Sequence, residues 1–137
     1  MGAWGAGIFD NDTACDWAYE LEGQRDLGVI ERTLDAVLES GDAYLDAGEG
    51  EEALAAAEAL ARLLGHWGVR NSYTERMDAW VEAARLSPPA ALVGKAHAAI
   101  DRILAADSEL AELWGESDEF DAWKAAVAEL RVRLRVD

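Results

Sequence analysis

Hydrophobic positions recur at three- and four-residue spacing along most of the chain, the period with which one face of an α-helix repeats. The stretch 51–64 departs from that pattern by being apolar on nearly every side: ten of its fourteen residues are alanine or leucine. Both lead the helix-propensity ranking, so a helix is expected there on local grounds, closed by Gly65. Glu58 and Arg62, spaced i and i+4, read as its one wet edge. A helix that is apolar all round belongs inside a fold, and its small alanines let neighbours approach closely. It falls short of the about 20 apolar residues that a bilayer span requires.

The remaining elements follow from the same period and its punctuation. Asn11 or Asp12 caps a first helix reaching Glu22, with Ala14, Cys15, Trp17, Ala18 and Leu21 on its apolar face. Leu27, Ile30, Leu34, Val37 and Leu38 place a second helix over 25–40, stopped by Gly41. The acidic segment 42–50 reads as a connector, with Tyr44 and Leu45 docking on the core. After the central helix, Gly65-His66-Trp67-Gly68 is a loop. Ser72 and Glu75 form a capping box for a helix ending near Arg85. Ser87 followed by Pro88 signals the start of the next, running to about Ala106. A short helix covers 108–114, ended by Gly115. Ser117 caps the last, which carries Phe120, Trp123, Val127, Leu130 and Leu134. The tail 131–136 alternates with period 2, a strand signature, but only the N-terminal segment offers a partner, so helix is the reading kept.

These elements predict an all-α fold: one domain over 1–137, a compact bundle of five or six helices around the buried helix, with an extended N-terminal arm over 1–10. Glycines at 2, 5 and 7 disfavour helix in that arm, while Trp4, Ile8 and Phe9 are too apolar for a free tail and are expected to anchor it. Its glycine spacing is not a dinucleotide fingerprint, because no strand precedes it.

Charge changes the picture more than composition does. Acids number 28 against 12 bases, a net charge of −16, which argues against direct binding to nucleic acid or to an anionic membrane. Cys15 is the single cysteine, so an internal disulfide is excluded and a reducing, cytoplasmic home fits. The opening residues lack the basic and long apolar regions of a secretory signal. Gly2 invites a myristoylation reading, but Ala6 stands where that motif wants a hydroxyl residue.

Candidate chemistry is sparse. Asp10 and Asp12 match the first two ligands of a calcium loop, yet Ala14, Cys15 and Leu21 occupy positions that must be acid, glycine and glutamate. Helix capping with dipole-favourable acids explains Asp10 and Asp12 better; the alternative is an anchor or partner site, in which the Asp10 carboxylate accepts backbone N–H groups of the glycine arm. His66, His97 and Cys15 do not stand at zinc-ligand spacing, so neither a metal nor another cofactor is expected. Two acid runs stand out. One spans 35–58 with eight acids and no base; the other holds Glu109, Glu112, Glu116, Asp118, Glu119 and Asp121 between Arg102 and Lys124. Both are either solvated faces or docking faces for a basic protein. Of six tryptophans, Trp17, Trp80 and Trp123 sit at core positions, whereas Trp4, Trp67 and Trp114 lie in or beside glycine-containing breaks and are expected to seal helix ends.

Three blocks resemble a family of small bacterial proteins, the domain of unknown function family 4259. They are Met1-Gly2-Ala3-Trp4-Gly5-Ala6-Gly7-Ile8-Phe9-Asp10-Asn11-Asp12 with Ala14, Asp16 and Trp17 following, then Glu52-Ala53-Leu54-Ala55-Ala56-Ala57-Glu58 with Gly65 downstream, and Ser108-Glu109-Leu110-Ala111-Glu112-Leu113-Trp114 with Trp123 and Leu130 downstream. The resemblance implies a bacterial, single-domain, mainly helical protein and brings no catalytic residues with it. Two functional expectations follow from the residues themselves. The first is a non-enzymatic interaction protein, immunity- or antitoxin-like, whose acids at Glu109, Glu112, Glu116, Asp118 and Glu119 dock a basic partner. The second is a small-molecule-binding or enzymatic domain built on Trp4, Asp10 and Asp12 with Trp114.

Overall fold

The computed structural model describes residues 3–136; Met1 and Gly2, with the myristoylation reading, and Asp137 lie outside the described residues. Among the described residues the chain forms seven α-helices and one 3-10 turn, against the five or six helices expected for the bundle. They are α1 Asp12–Trp17, the turn Ala18–Leu21, α2 Gly28–Leu38, α3 Ala47–Leu63, α4 Glu75–Ala84, α5 Ala90–Leu104, α6 Glu109–Gly115 and α7 Phe120–Arg133. The only β-type pairings among these residues are isolated bridges, Ala3 with Asn11 and Leu45 with Ser108.

Helix α3 is the centre, in contact with each of the other α-helices. Ala55, Ala56, Ala57, Ala59, Leu60 and Ala61 are wholly buried. Their short side chains let α2 and α5 pack close on one another's side of the core, where Ile30, Leu34, Ile100 and Ile103 are buried too. Gly50 serves the same purpose in the first turn: a Cβ there would meet the Leu110 side chain of α6 at 3.2 Å.

Helix starts differ from the sequence reading wherever a side chain or a proline takes over the local backbone. Asp46 caps α3 by accepting the Glu49 N–H at 2.8 Å, so the helix begins inside the supposed connector. Asp26 accepts the Gly28 N–H at 2.9 Å and delays α2, an aspartate competing with helical bonding. Asn71, not Ser72, turns the chain into α4, its Oδ1 accepting from the Tyr73 N–H at 2.9 Å. Pro88 precedes Pro89 and is thereby barred from helical geometry, so α5 starts at Ala90 rather than behind Ser87. Ser117 accepts the Glu119 N–H at 3.2 Å and donates to the Trp114 carbonyl at 2.8 Å, bridging α6 and α7 instead of capping the latter. Asn11 does cap α1, accepting the Ala14 N–H at 2.8 Å. The arginine-rich tail is helical through Arg133, with Val127, Leu130 and Leu134 in the core.

Two further contacts fix the ends of the bundle. Leu45 docks as expected, buried, with its N–H donating to the Asp107 carbonyl and its carbonyl accepting from the Glu109 N–H. Both histidines hold the last turn of α7: His66 Nδ1 lies 2.8 Å from the Arg133 carbonyl, and His97 Nε2 lies 2.7 Å from that of Leu134. A helix end leaves carbonyls unsatisfied, and these two rings occupy two of them.

Candidate functional site

Glu58 and Arg62 are not a wet edge. Both are 3% exposed and form the middle of an ionic centre between α3, α4 and α7. Arg62 Nε donates to Glu58 at 3.0 Å, its Nη1 to Asp78 at 2.6 Å and its Nη2 to the Val69 carbonyl at 2.7 Å. Arg133 forks onto both oxygens of Glu58 at 2.7 Å each, and onto Glu129 at 2.5 and 2.9 Å. Thr74 donates its hydroxyl to the other oxygen of Asp78 at 2.8 Å. Burial by itself would lower the pKa of Arg133, but its hydrogen bonds and charge contacts to Glu58 and Glu129 outweigh that and raise it. Gly68 lies flat against this guanidinium, since a Cβ there would stand 2.7 Å from Arg133 Cζ. Trp67 covers the edge, with the Arg70 guanidinium 4.2 Å from its ring centre.

The N-terminal arm closes the open side of this centre. The arm turns back on itself as a loop instead of running extended: the Trp4 N–H donates to the Asp10 carbonyl at 2.8 Å, and Asp10 Oδ2 accepts the Gly7 N–H at 3.0 Å. Gly5 and Gly7 are needed because a Cβ on either would fall within 2.7 Å of that carboxylate. Phe9 is the buried anchor and Ile8 is half-buried, whereas Trp4 is 48% exposed and rests on the ring of Tyr73. A cavity of about 190 Å³ separates arm and ionic centre, lined in part by Gly7, Asp10, Asn71, Thr74 and Glu129. Polar walls of this kind suit ordered water. The two arginines bind every carboxylate of the centre, Arg62 holding Glu58 and Asp78 and Arg133 holding Glu58 and Glu129, so the centre reads as the device that locks α4 and α7 onto α3 beneath the arm.

The three sequence blocks thus lie in one assembly: the arm, the alanine helix under it, and α6 against that helix's N-terminus. The family model described as Domain of unknown function (DUF4259) matches residues 2–126 of the chain. The chain belongs to this family. No curated protein and no solved structure matches it.

Within this family member, the candidate residues named from sequence separate into distinct environments. Trp4 pairs with Tyr73, centroids 5.0 Å apart, while Trp114 is buried and stacks on Trp123 at 6.2 Å. Asp10 holds the arm, and Asp12 is exposed in the first turn of α1. Cys15 donates its thiol to the Phe9 carbonyl at 3.5 Å; burial first, then Asp12, Asp16 and Asp10, push its pKa up, away from the thiolate that nucleophilic chemistry uses.

The acids of the α6–α7 face divide in the same way. Glu109 accepts the Ala47 N–H at 2.8 Å, supplying a carboxylate at the N-terminus of α3. Glu112 accepts the Tyr44 hydroxyl at 2.8 Å, and that bond pushes the phenol up to about 12. Glu116, Asp118 and Glu119 are exposed, and their carboxylates make no ion pair among the described residues. Beside them lies an apolar groove of about 440 Å³, lined by Leu104, Ala111, Phe120, Trp123, Val127 and Val132, with Lys124 and Arg131 at its border. None of the acids lines the groove; Glu112 and Glu119 are the chain neighbours of its lining residues Ala111 and Phe120. Sequence reasoning missed the groove because its lining comes from α5, α6 and α7 together. It also missed Asp78 and Arg133, whose signal was available in principle: a charged pair on an otherwise buried helix requires partners. Among the described residues, no helix is long and apolar enough to cross a membrane.

Proposed function

We propose that this chain is a non-enzymatic, acidic interaction module of the bacterial cytoplasm, masking the basic face of a protein partner in the manner of an immunity protein or antitoxin. The observation that carries the reading is the exposed, unpaired acids Glu116, Asp118 and Glu119 in the segment that joins two lining residues of an apolar groove, Ala111 and Phe120. Binding patches commonly join an apolar, desolvated centre to a charged rim, the centre supplying affinity and the rim steering and selectivity. Leu104 and Val132 at the groove are 42% and 68% exposed, apolar surface that a partner's side chains would cover. Glu109 and Glu112 support the face from behind through their bonds to Ala47 and Tyr44.

The test begins with affinity capture from the native host at low salt, followed by kinetics on the protein recovered. Reversing Glu116, Asp118 and Glu119 to lysine is expected to slow association, with little change in dissociation. The wild-type on-rate should fall steeply with ionic strength, because the Debye length shrinks to about 8 Å at 0.15 M salt. Recovery of the same proteins by wild type and reversed variant, with equal rates, overturns the reading and leaves these acids as solvated surface.

A further inference from the structure

A second concave surface uses none of the residues of the α6–α7 face. It is a cleft of about 640 Å³ between the turn after α1 and the start of α4, lined by Cys15, Tyr19, Glu22, Tyr73, Glu75 and Trp80, with Arg76 projecting into it. Large aromatic side chains are left half-open here: Tyr19 is 54% exposed and Tyr73 47%, and Trp4, itself 48% exposed, meets the Tyr73 ring at a 45° tilt. One side of the cleft already holds a cation. The Arg76 guanidinium carbon stands 3.6 Å from the Tyr19 ring centre, and Arg76 pairs with the Glu22 carboxylate. The α4 side repeats the same two groups, the ring of Tyr73 and the carboxylate of Glu75, without a cation. Glu75 is exposed and makes no ion pair among the described residues.

The local charge favours a second cation as well. Glu22 and Glu75 outnumber Arg76, and Asp12 and Asp16 lie near enough to act on the Cys15 thiol. An aromatic face attracts cations through its quadrupole, and a planar guanidinium both stacks on it and bonds a carboxylate at its edge. An anion would meet repulsion here, and a purely apolar ligand would leave the Glu75 carboxylate unpaired. Clusters of tyrosine, tryptophan and arginine are also the composition of interface hot spots.

We propose that this cleft is a receptor for an arginine side chain of a polypeptide partner, its guanidinium seated on Tyr73 beside Trp4 with Glu75 as counter-ion. Arg76 on Tyr19 and Glu22 is the intramolecular precedent for the recognition. The proposal stands independently of the α6–α7 face, and its test requires no physiological partner.

The experiment titrates the whole protein with a short Gly/Ser peptide bearing one central arginine, followed by calorimetry and by NMR shifts of the Tyr73 and Glu75 amides. The same peptide with citrulline, the uncharged isostere, is the control. Saturable binding of the arginine peptide is expected, weaker by about tenfold for citrulline and for the exposed-site variants Tyr73→Ala and Glu75→Gln. Arg76→Ala should add a second equivalent of bound peptide by vacating Tyr19 and Glu22. Equal binding of arginine and citrulline peptides overturns the proposal, as does wild-type affinity in both variants. Binding of free Nα-acetyl-arginine amide with exclusion of the peptide overturns the assignment to a polypeptide.

Discussion

Arg133, in the last turn of α7, forms a two-pronged ion pair with Glu58 in the middle of α3, 75 residues earlier, at 2.7 Å on each prong. The two residues join the C-terminal end of the fold to its centre through a charge pair that is nearly dry. Arg62 shares the same glutamate and carries the connection on to Asp78 in α4. Charges in such a setting stabilise the fold only as a set, because each member removed leaves the others buried without a partner.

Replacing Arg133 by methionine, which keeps length but not charge, is therefore expected to cost about 3–5 kcal/mol, read as a lower urea midpoint. Glu129→Ala removes the outer, half-exposed partner of the same arginine and should cost no more than about 1 kcal/mol. Equal losses for the two would show that the inner pair has no special weight.

Bulk on the central helix is the second expectation. Ala56 and Ala57 are both wholly buried. Changing either to leucine should destabilise by about 1–3 kcal/mol through overpacking. Chemical denaturation that finds both variants as stable as the parent would contradict the close packing around α3.

The arm should behave as part of the core. Phe9 is buried at its base, so Phe9→Ala is expected to cost about 3–5 kcal/mol. Asp10→Ala releases the Gly7 N–H and the loop it closes, and should increase binding of the dye ANS without removing any core side chain. Unchanged dye binding and stability in both would make the arm a free appendage.

Glu52 provides a pH test. Its pKa is raised, first by burial and then by Glu20, Asp46 and Glu49. The folded state therefore holds this proton more tightly than the unfolded chain, so the associated stability is complete below the unfolded value of about 4.3 and is lost as pH rises through the folded value. Glu52→Gln should accordingly gain stability relative to wild type as pH moves from about 4 to neutrality. Urea midpoints of the two proteins across that range check the sign; a constant difference would refute it.

Much of the architecture is written locally. Alanine and leucine density determines that 51–64 is a helix, and a helix without a polar face must be enclosed. Asn11 as a cap, Asp10 as the tie for its glycine arm, and the inward face of α7 likewise follow from neighbours within a turn or two. Helix starts were less legible, because Asp26, Asp46, Asn71 and the Pro88-Pro89 pair compete for the same backbone groups within a few residues. What only the tertiary structure decided lies at long range. Glu58 and Arg62 at i, i+4 look like any exposed helical pair until Asp78 and Arg133 arrive from other helices and enclose them. The groove lined by Leu104, Ala111 and Phe120 needs three helices to exist, and the cleft at Tyr73 needs the turn after α1 packed against α4. Local sequence sets backbone preference and which faces are apolar; whether a charge ends in water or in a buried network depends on which distant side chains the packing brings to it.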